Sequence, residues 1–221
     1  NAAMEVTASG IPWNFSPVLD VARDARWPRF WETFGEAPKL VSDMGVAMVK
    51  GYQEGPSPIA ATLKHYVGYS RPLTGKDRTP AWIPERQLRQ IFIPPFAAAI
   101  DAGAASIMVN SGDVNGIPVH VDHHILTDIL RDELGFEGMV VTDWEDIKYL
   151  FSRHMVAADY KDAIDMAINA GIDMSMVPTD LEFPVLLAEL VREGRVTEAR
   201  MDESVRRILA MKYDLGLFET G

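Results

Sequence analysis

The stretch Gly138-Met139-Val140-Val141-Thr142-Asp143-Trp144-Glu145 decides how the rest of the chain is read. A short apolar run with β-branched residues stops on an aspartate, and a tryptophan follows. A run of this kind without alternation fits a strand buried on both faces, as in parallel sheets covered by helices. In parallel barrels the chemistry gathers at the C-terminal ends of the strands. Asp143 therefore stands where a reacting carboxylate would stand, with an aromatic platform beside it. The competing reading is an aspartate that caps the next helix, and one strand end does not separate the two.

Outward from this point, strand-like and helix-like stretches alternate along the chain. The strand candidates are Trp13–Leu19, Ala60–Tyr66, Ala105–Val109, Gly138–Thr142 and Ile172–Met174. Helical periodicity marks Leu40–Gln53, Glu85–Ala102, Asp122–Leu134, Tyr160–Ala170, Thr179–Glu193 and Thr197–Tyr213. Alternation of this kind means parallel βα units. Five are legible, whereas a closed barrel of the TIM type has about eight. The expected fold is α/β, the later βα units of a parallel (β/α)8 barrel, with residues 1–221 as one domain. A complete five-stranded doubly wound sheet is the alternative. The opening Asn1-Ala2-Ala3-Met4-Glu5-Val6 reads as the end of a helix, so an earlier segment is expected.

Composition excludes several functions. The formal net charge is −11, which leaves no basic stripe to neutralise phosphates and argues against nucleic acid. No apolar run approaches the ~20 residues of a membrane span. There are no cysteines, hence no disulfide framework and no thiolate metal site. A glycine-rich phosphate loop, a His-Glu-x-x-His pair and a serine nucleophile elbow are all missing. His120, His123 and His124 lie close in sequence but lack an acidic partner at zincin spacing. They are expected as solvated residues at the start of a helix, and no metal or cofactor is expected.

Four strand ends carry residues suited to chemistry. The first leads into Asp20-Val21-Ala22-Arg23-Asp24-Ala25-Arg26-Trp27-Pro28-Arg29-Phe30. Guanidinium forks and indole faces in that density suit sugar hydroxyls and apolar sugar faces, or else an internal ion-pair network. The second ends in Lys64-His65, two donors that strand alternation would send to opposite faces unless the strand bends. The third ends in Asn110-Ser111-Gly112-Asp113-Val114-Asn115-Gly116, where Asn115-Gly116 signals a turn. The fourth ends in Asp143-Trp144. The loop Gly68–Pro84 follows the Lys64-His65 strand and lies on the same face as Asp143, where long loops build binding sites.

Together these strings resemble glycoside hydrolase family 3, the β-glucosidase and β-xylosidase type. The matching stretches are Asn14-Phe-Ser-Pro-Val-Leu-Asp-Val-Ala-Arg-Asp-Ala-Arg-Trp-Pro-Arg29, Lys64-His65-Tyr66, Glu85-Arg86-Gln-Leu-Arg with Pro94-Pro95-Phe96, and Gly135-Phe-Glu-Gly-Met-Val-Val-Thr-Asp143-Trp144. The closing Ala210-Met-Lys-Tyr-Asp-Leu-Gly-Leu-Phe218 resembles the end of the family's barrel domain. The resemblance implies Asp143 as the nucleophile, with Arg29, Lys64 and His65 as contacts to the bound sugar and Trp144 at the pocket mouth. It also implies substrate contacts at Ser111, where many members carry Tyr, and at Lys76 or Arg78, where they often carry Arg. Trp27-Pro28-Arg29 replaces the usual Trp-Gly-Arg.

The implied activity is an exo-acting, retaining β-glucosidase-like hydrolysis of terminal β-D-glycosyl residues through a covalent Asp-linked intermediate. The substrate is then an oligosaccharide or β-glucoside. Alternatives are β-xylosidase-type specificity, or a sugar-binding remnant without turnover. The acetylglucosaminidase branch of the family places a His-Asp pair in the loop after Lys-His, and Gly68–Pro84 contains no His. In the glucosidase-type members the acid/base is a Glu on a second domain, which is expected beyond this chain as a complementary segment. A periplasmic or extracellular location is the one the resemblance favours.

Overall fold

The computed structural model describes residues 1–179 and 181–219. The chain begins with α1 (Ala2–Ala8) and α2 (Pro38–Gln53), followed by β1 (Thr62–Tyr66). A continuous helical stretch comes next: α3 (Glu85–Gln87), a π-helical segment Leu88–Phe92 and α4 (Ile93–Asp101). After β2 (Ser106–Val109), a small hairpin pairs β3 (Asp113–Val114) with β4 (Ile117–Pro118). A π-helix, His124–Glu133, leads to β5 (Met139–Val141). The chain then continues through α5 (Asp146–Ser152), α6 (Tyr160–Ala170), α7 (Glu182–Arg192) and α8 (Glu198–Asp214).

β1, β2 and β5 form a parallel sheet in that order, with Thr62 opposite Ser106 and Ser106 opposite Met139. Trp13 and Val18 make parallel bridges to Ala60 and Lys64 on one edge, and Met174 bridges Val141 on the other. Five strand segments thus lie side by side in chain order. A doubly wound sheet reverses its strand order at a switch point, whereas a (β/α)8 barrel runs sequentially. The order is that of a barrel arc. Helices cover its outside in sequence, with α2 against α4, α5 against α6 and α6 against α7.

Strand alternation sorts the side chains. Leu63, Ile107, Val109 and Val140 face the helices and join the main core. Met108, Met139 and Val141 face the other way and pack with Trp13, Met176, Ile208 and Met211. On that inner face the Trp13 indole N–H reaches the Thr62 and Ser106 hydroxyls at 2.7 and 3.0 Å. Met139, Val141 and Asp143 are two residues apart each, so the inner-face alternation of β5 carries on to Asp143 at its C-terminal end.

α2 buries Val41, Gly45, Val49 and Tyr52, one stripe at helical spacing. At Gly45 a Cβ would fall 2.6 Å from the end of the Leu19 side chain, which would have to shift to admit any larger residue. Asp159 caps α6 by accepting from the Asp162 amide, and Thr197 caps α8 from the Arg200 amide. Asn115 and Gly116 both have positive φ (54° and 87°), as a two-residue hairpin turn requires.

Three sequence expectations need correction. Trp13–Leu19 and Ile172–Met174 run beside β1 and β5 but make only isolated bridges. Pro17 lacks an N–H to donate, and the amides of Asp173 and Met174 both converge on the Val140 carbonyl. The helix expected over Asp122–Leu134 is π-helical over His124–Glu133. α5 goes unread in the sequence, because seven residues opening on Asp-Ile-Lys show too little periodicity.

Candidate active site

Asp143 stands at the C-terminal end of β5, its side chain 13 % exposed. Its Oδ2 accepts from the Ser111 hydroxyl at 2.8 Å and its Oδ1 from the Trp144 amide at 2.6 Å. Arg78 Nη2 lies 3.6 Å from Oδ1 and His65 Nε2 lies 4.0 Å from Oδ2. Burial pushes this carboxyl up. His65, the Trp144 N–H, the Ser111 hydroxyl and Arg78 outweigh burial and bring it below the ordinary carboxylate range. Asp143 is thus held as an anion, aimed inward from a strand end.

His65 is 1 % exposed. Its backbone N–H donates to Asp20 Oδ2 at 3.1 Å, and its Nδ1 lies 2.8 Å from the same oxygen. A carboxylate accepts, so Nδ1 donates to Asp20, and this fixes the ring with Nε2 facing Asp143. The β1 register breaks between Leu63 and Tyr66. Because the register breaks there, strict alternation does not hold, and Lys64 and His65 both lie on the side of Asp143. Lys64 is half-buried. Burial pulls its ammonium down and Arg29 adds to this, while Asp143, Glu32 and Asp20 pull it back up.

Arg29 forks onto Glu32 with two bonds of 2.9 Å and lies over the Tyr69 ring at 5.6 Å. Tyr69 in turn meets His65 edge-on at 4.8 Å. Nearby, Arg26 pairs with Asp24, and the buried Trp27 donates to Asp77 at 3.0 Å. The Arg-Asp-Trp density of this segment is therefore largely an internal network that orders the loop. From Gly68–Pro84 it is Arg78 that reaches Asp143. The Lys76 side chain is exposed and makes no ion pair among the described residues. Arg78 has a left-handed backbone (φ 55°), and its carbonyl accepts from Arg153. Ser111, read from the sequence as a sugar contact, is buried and donates its hydroxyl hydrogen bond to Asp143. Trp144 is 48 % exposed at the mouth.

The three histidines do not act together. His123 and His124 are on the surface, each 3.1 Å from Asp128. His120 is buried, against the expectation of solvent, because the turn Val119–Val121 packs it inward toward Asp146. Asp146 opens α5, yet its side chain turns to Arg78 at 3.3 Å rather than along the helix. Glu145 is directed toward Thr179 and Lys148. The partners missed from sequence are Asp20, Glu32, Tyr69, His120 and Asp146. Only Asp20 left a signal, as a carboxylate ending the first strand-like stretch.

Carboxyls able to act beside Asp143 are restricted among the described residues. Asp20 is buried on His65, Asp146 is 2 % exposed, and Glu32 is lowered chiefly by its hydrogen bond to Arg29. No group of three or more acidic or imidazole side chains could hold a metal, and no helix is long and apolar enough to cross a membrane, again among the described residues.

A strand-end carboxylate ringed by donors and cations thus stands at the C-terminal end of a parallel arc, where barrel proteins carry their chemistry. Residues 1–211 match the family described as glycosyl hydrolase family 3 N terminal domain. The chain belongs to this family, whose N-terminal domain is of the TIM-barrel type. It is 55 % identical to the lysosomal beta glucosidase of Dictyostelium discoideum, aligned over 97 % of the chain and 27 % of that protein. Identity with the periplasmic beta-glucosidase of Salmonella typhimurium is 39 %, over 98 % of the chain and 28 % of that protein. The crystal structure of a beta-glucosidase from Listeria innocua in complex with glucose superposes with a TM-score of 0.93 at 36 % identity, covering 99 % of this chain and 31 % of that one. The chain thus spans less than a third of the length of these relatives.

Proposed function

We propose that the protein carrying this chain is a retaining β-glycosidase of β-glucosidase type, with Asp143 as nucleophile. The observation that carries the reading is the setting of Asp143: an anion at a strand end, held by Ser111 and the Trp144 amide and flanked by Arg78 and His65. Retaining enzymes use one carboxylate to form a covalent glycosyl ester and a second carboxyl, about 5–5.5 Å away, as acid/base. Asp143 would attack the anomeric carbon as the glycosidic bond breaks. Lys64, with Arg29 behind it, would donate to sugar hydroxyls, and Trp144 would border the leaving group. The general acid comes from a part of the protein outside these residues. The family, the identity to β-glucosidases and the likeness to a glucose-bound relative support glucosides as substrates. Relatives named periplasmic and lysosomal support a compartment outside the cytosol.

In the full-length protein, Asp143→Asn should lower turnover of an aryl β-glucoside by several orders of magnitude, because an amide forms no glycosyl ester. A 2-fluoroglucoside should become attached to Asp143, as read by peptide mass spectrometry. Attachment to another carboxylate, or near-normal turnover of Asp143→Asn, would refute the assignment.

A further inference from the structure

Behind Asp143 lies a buried polar pair that the reaction does not use. Asp146 Oδ1 accepts from Arg78 Nη1 at 3.3 Å. Its Oδ2 lies 3.7 Å from His120 Nε2, and both atoms are buried without a hydrogen-bond partner. Orphaned polar atoms are rare in native interiors, and two that face each other need a reason. Arg78 spans both carboxylates, with Nη1 toward Asp146 and Nη2 toward Asp143. Resting on the reading of Asp143 as nucleophile, we propose that Asp146, backed by His120, is a positioning residue whose proton decides how much of the Arg78 charge reaches Asp143.

The environment supports a proton held on Asp146. Burial raises its carboxyl to about 7, with Ser111 lowering it, Asp143 raising it, and Arg78 and Arg153 lowering it. Burial takes His120 the other way, to about 3; Asp143 pulls it up, while His154 and Arg78 lower it further. The pair then holds one proton on the carboxyl, near the imidazole lone pair. With Asp146 neutral, Arg78 serves Asp143 alone. Once Asp146 loses its proton, Arg78 is shared and a second negative charge lies near Asp143. A like charge nearby makes a carboxylate more basic. Asp143 should then attack faster and leave its glycosyl ester more slowly.

The test separates attack from acid catalysis. With a 2,4-dinitrophenyl 2-deoxy-2-fluoro-β-glucoside, Asp143 forms the ester bond to the anomeric carbon as the bond to the aryl oxygen breaks. The dinitrophenolate leaves with its electron pair and needs no proton. In the full-length protein the labelling rate should rise about five-fold, roughly the effect of one partly screened charge, as pH passes from about 5.5 to 8.5. Asp146→Asn should stay flat at the low-pH rate. His120→Gln should move the rise to lower pH, since a glutamine amide can donate to the charged carboxylate. A flat profile in the unmodified protein overturns the proposal without any variant, and so does a rise that survives in Asp146→Asn. Failure to label Asp143 at any pH would overturn the nucleophile assignment itself, and this inference with it.

Discussion

Lys64 has surroundings that folding alone explains poorly. Its ammonium is half-buried beside the Arg29 cation, and no described carboxylate pairs with it directly. The neighbouring guanidiniums do have partners: Arg29 has Glu32, Arg26 has Asp24, and Arg78 has Asp143 and Asp146. On the proposed reading that cation donates to the bound sugar. Bonds to sugar hydroxyls strengthen as charge develops, so Lys64→Ala should lower kcat and raise KM together. Losing one charge-assisted hydrogen bond corresponds to roughly 10–100-fold in kcat/KM. Steady-state kinetics on an aryl β-glucoside check this. A variant with intact kinetics and only a lower melting temperature would make Lys64 part of the scaffold. The sequence places Lys64, His65 and Asp143 at strand ends. It does not reveal Asp20 under His65 or His120 behind Asp146, because those pairs join residues 45 and 26 positions apart that only the fold brings together.

The elements were legible in proportion to their periodicity. The helix read over Tyr160–Ala170 is found at those residues, and Leu40–Gln53 and Thr197–Tyr213 match α2 and α8 to within two residues. The three inner strands lie within their expected bounds. What failed were segments governed by single backbone partners rather than by a face: the strand-like flanks, the π-helical turn geometry and α5. Gly138 is a case in which a backbone contact sets an element that carries chemistry. A Cβ there would come 2.5 Å from the Ala105 carbonyl and 2.6 Å from the Phe136 ring, while the Gly138 carbonyl accepts from Arg131 at 2.7 Å. β5 can then start beside β2 only with glycine. Gly138→Ala should destabilise by about 2 kcal/mol, the usual scale of overpacking. Denaturant unfolding followed by circular dichroism measures it. Because β5 holds Asp143, turnover should fall as well; unchanged stability would mean that β5 tolerates a shift away from Ala105.

At the scale of the whole molecule, the question is what these residues can do alone. Five parallel strand segments in chain order make an arc, and the two at its edges are tied by isolated bridges rather than ladders. A closed barrel of this class has about eight strands, and open edges expose unpaired backbone groups that invite association. Apolar side chains are exposed along α8, at Val205, Leu209 and Tyr213, and beyond it at Phe218. In relatives several times longer, further chain is available to cover such surfaces. The chemistry points the same way. On the proposed reading Asp143 is the nucleophile, but the described carboxyls around it are buried or tied to cations, so none of them is placed to protonate a leaving group. General acid assistance is worth ~10²–10⁴-fold, and a sugar leaving group needs it more than an activated phenolate does. The purified 221-residue chain should therefore show no measurable hydrolysis of cellobiose. Trace release of dinitrophenolate from an activated β-glucoside is compatible with Asp143 acting alone, and should vanish in Asp143→Asn. Sustained glucose release from cellobiose, measured by a coupled assay, would mean that a carboxyl within these residues serves as the acid after all. Asp146, the carboxyl held near a pKa of 7, would be the first to replace.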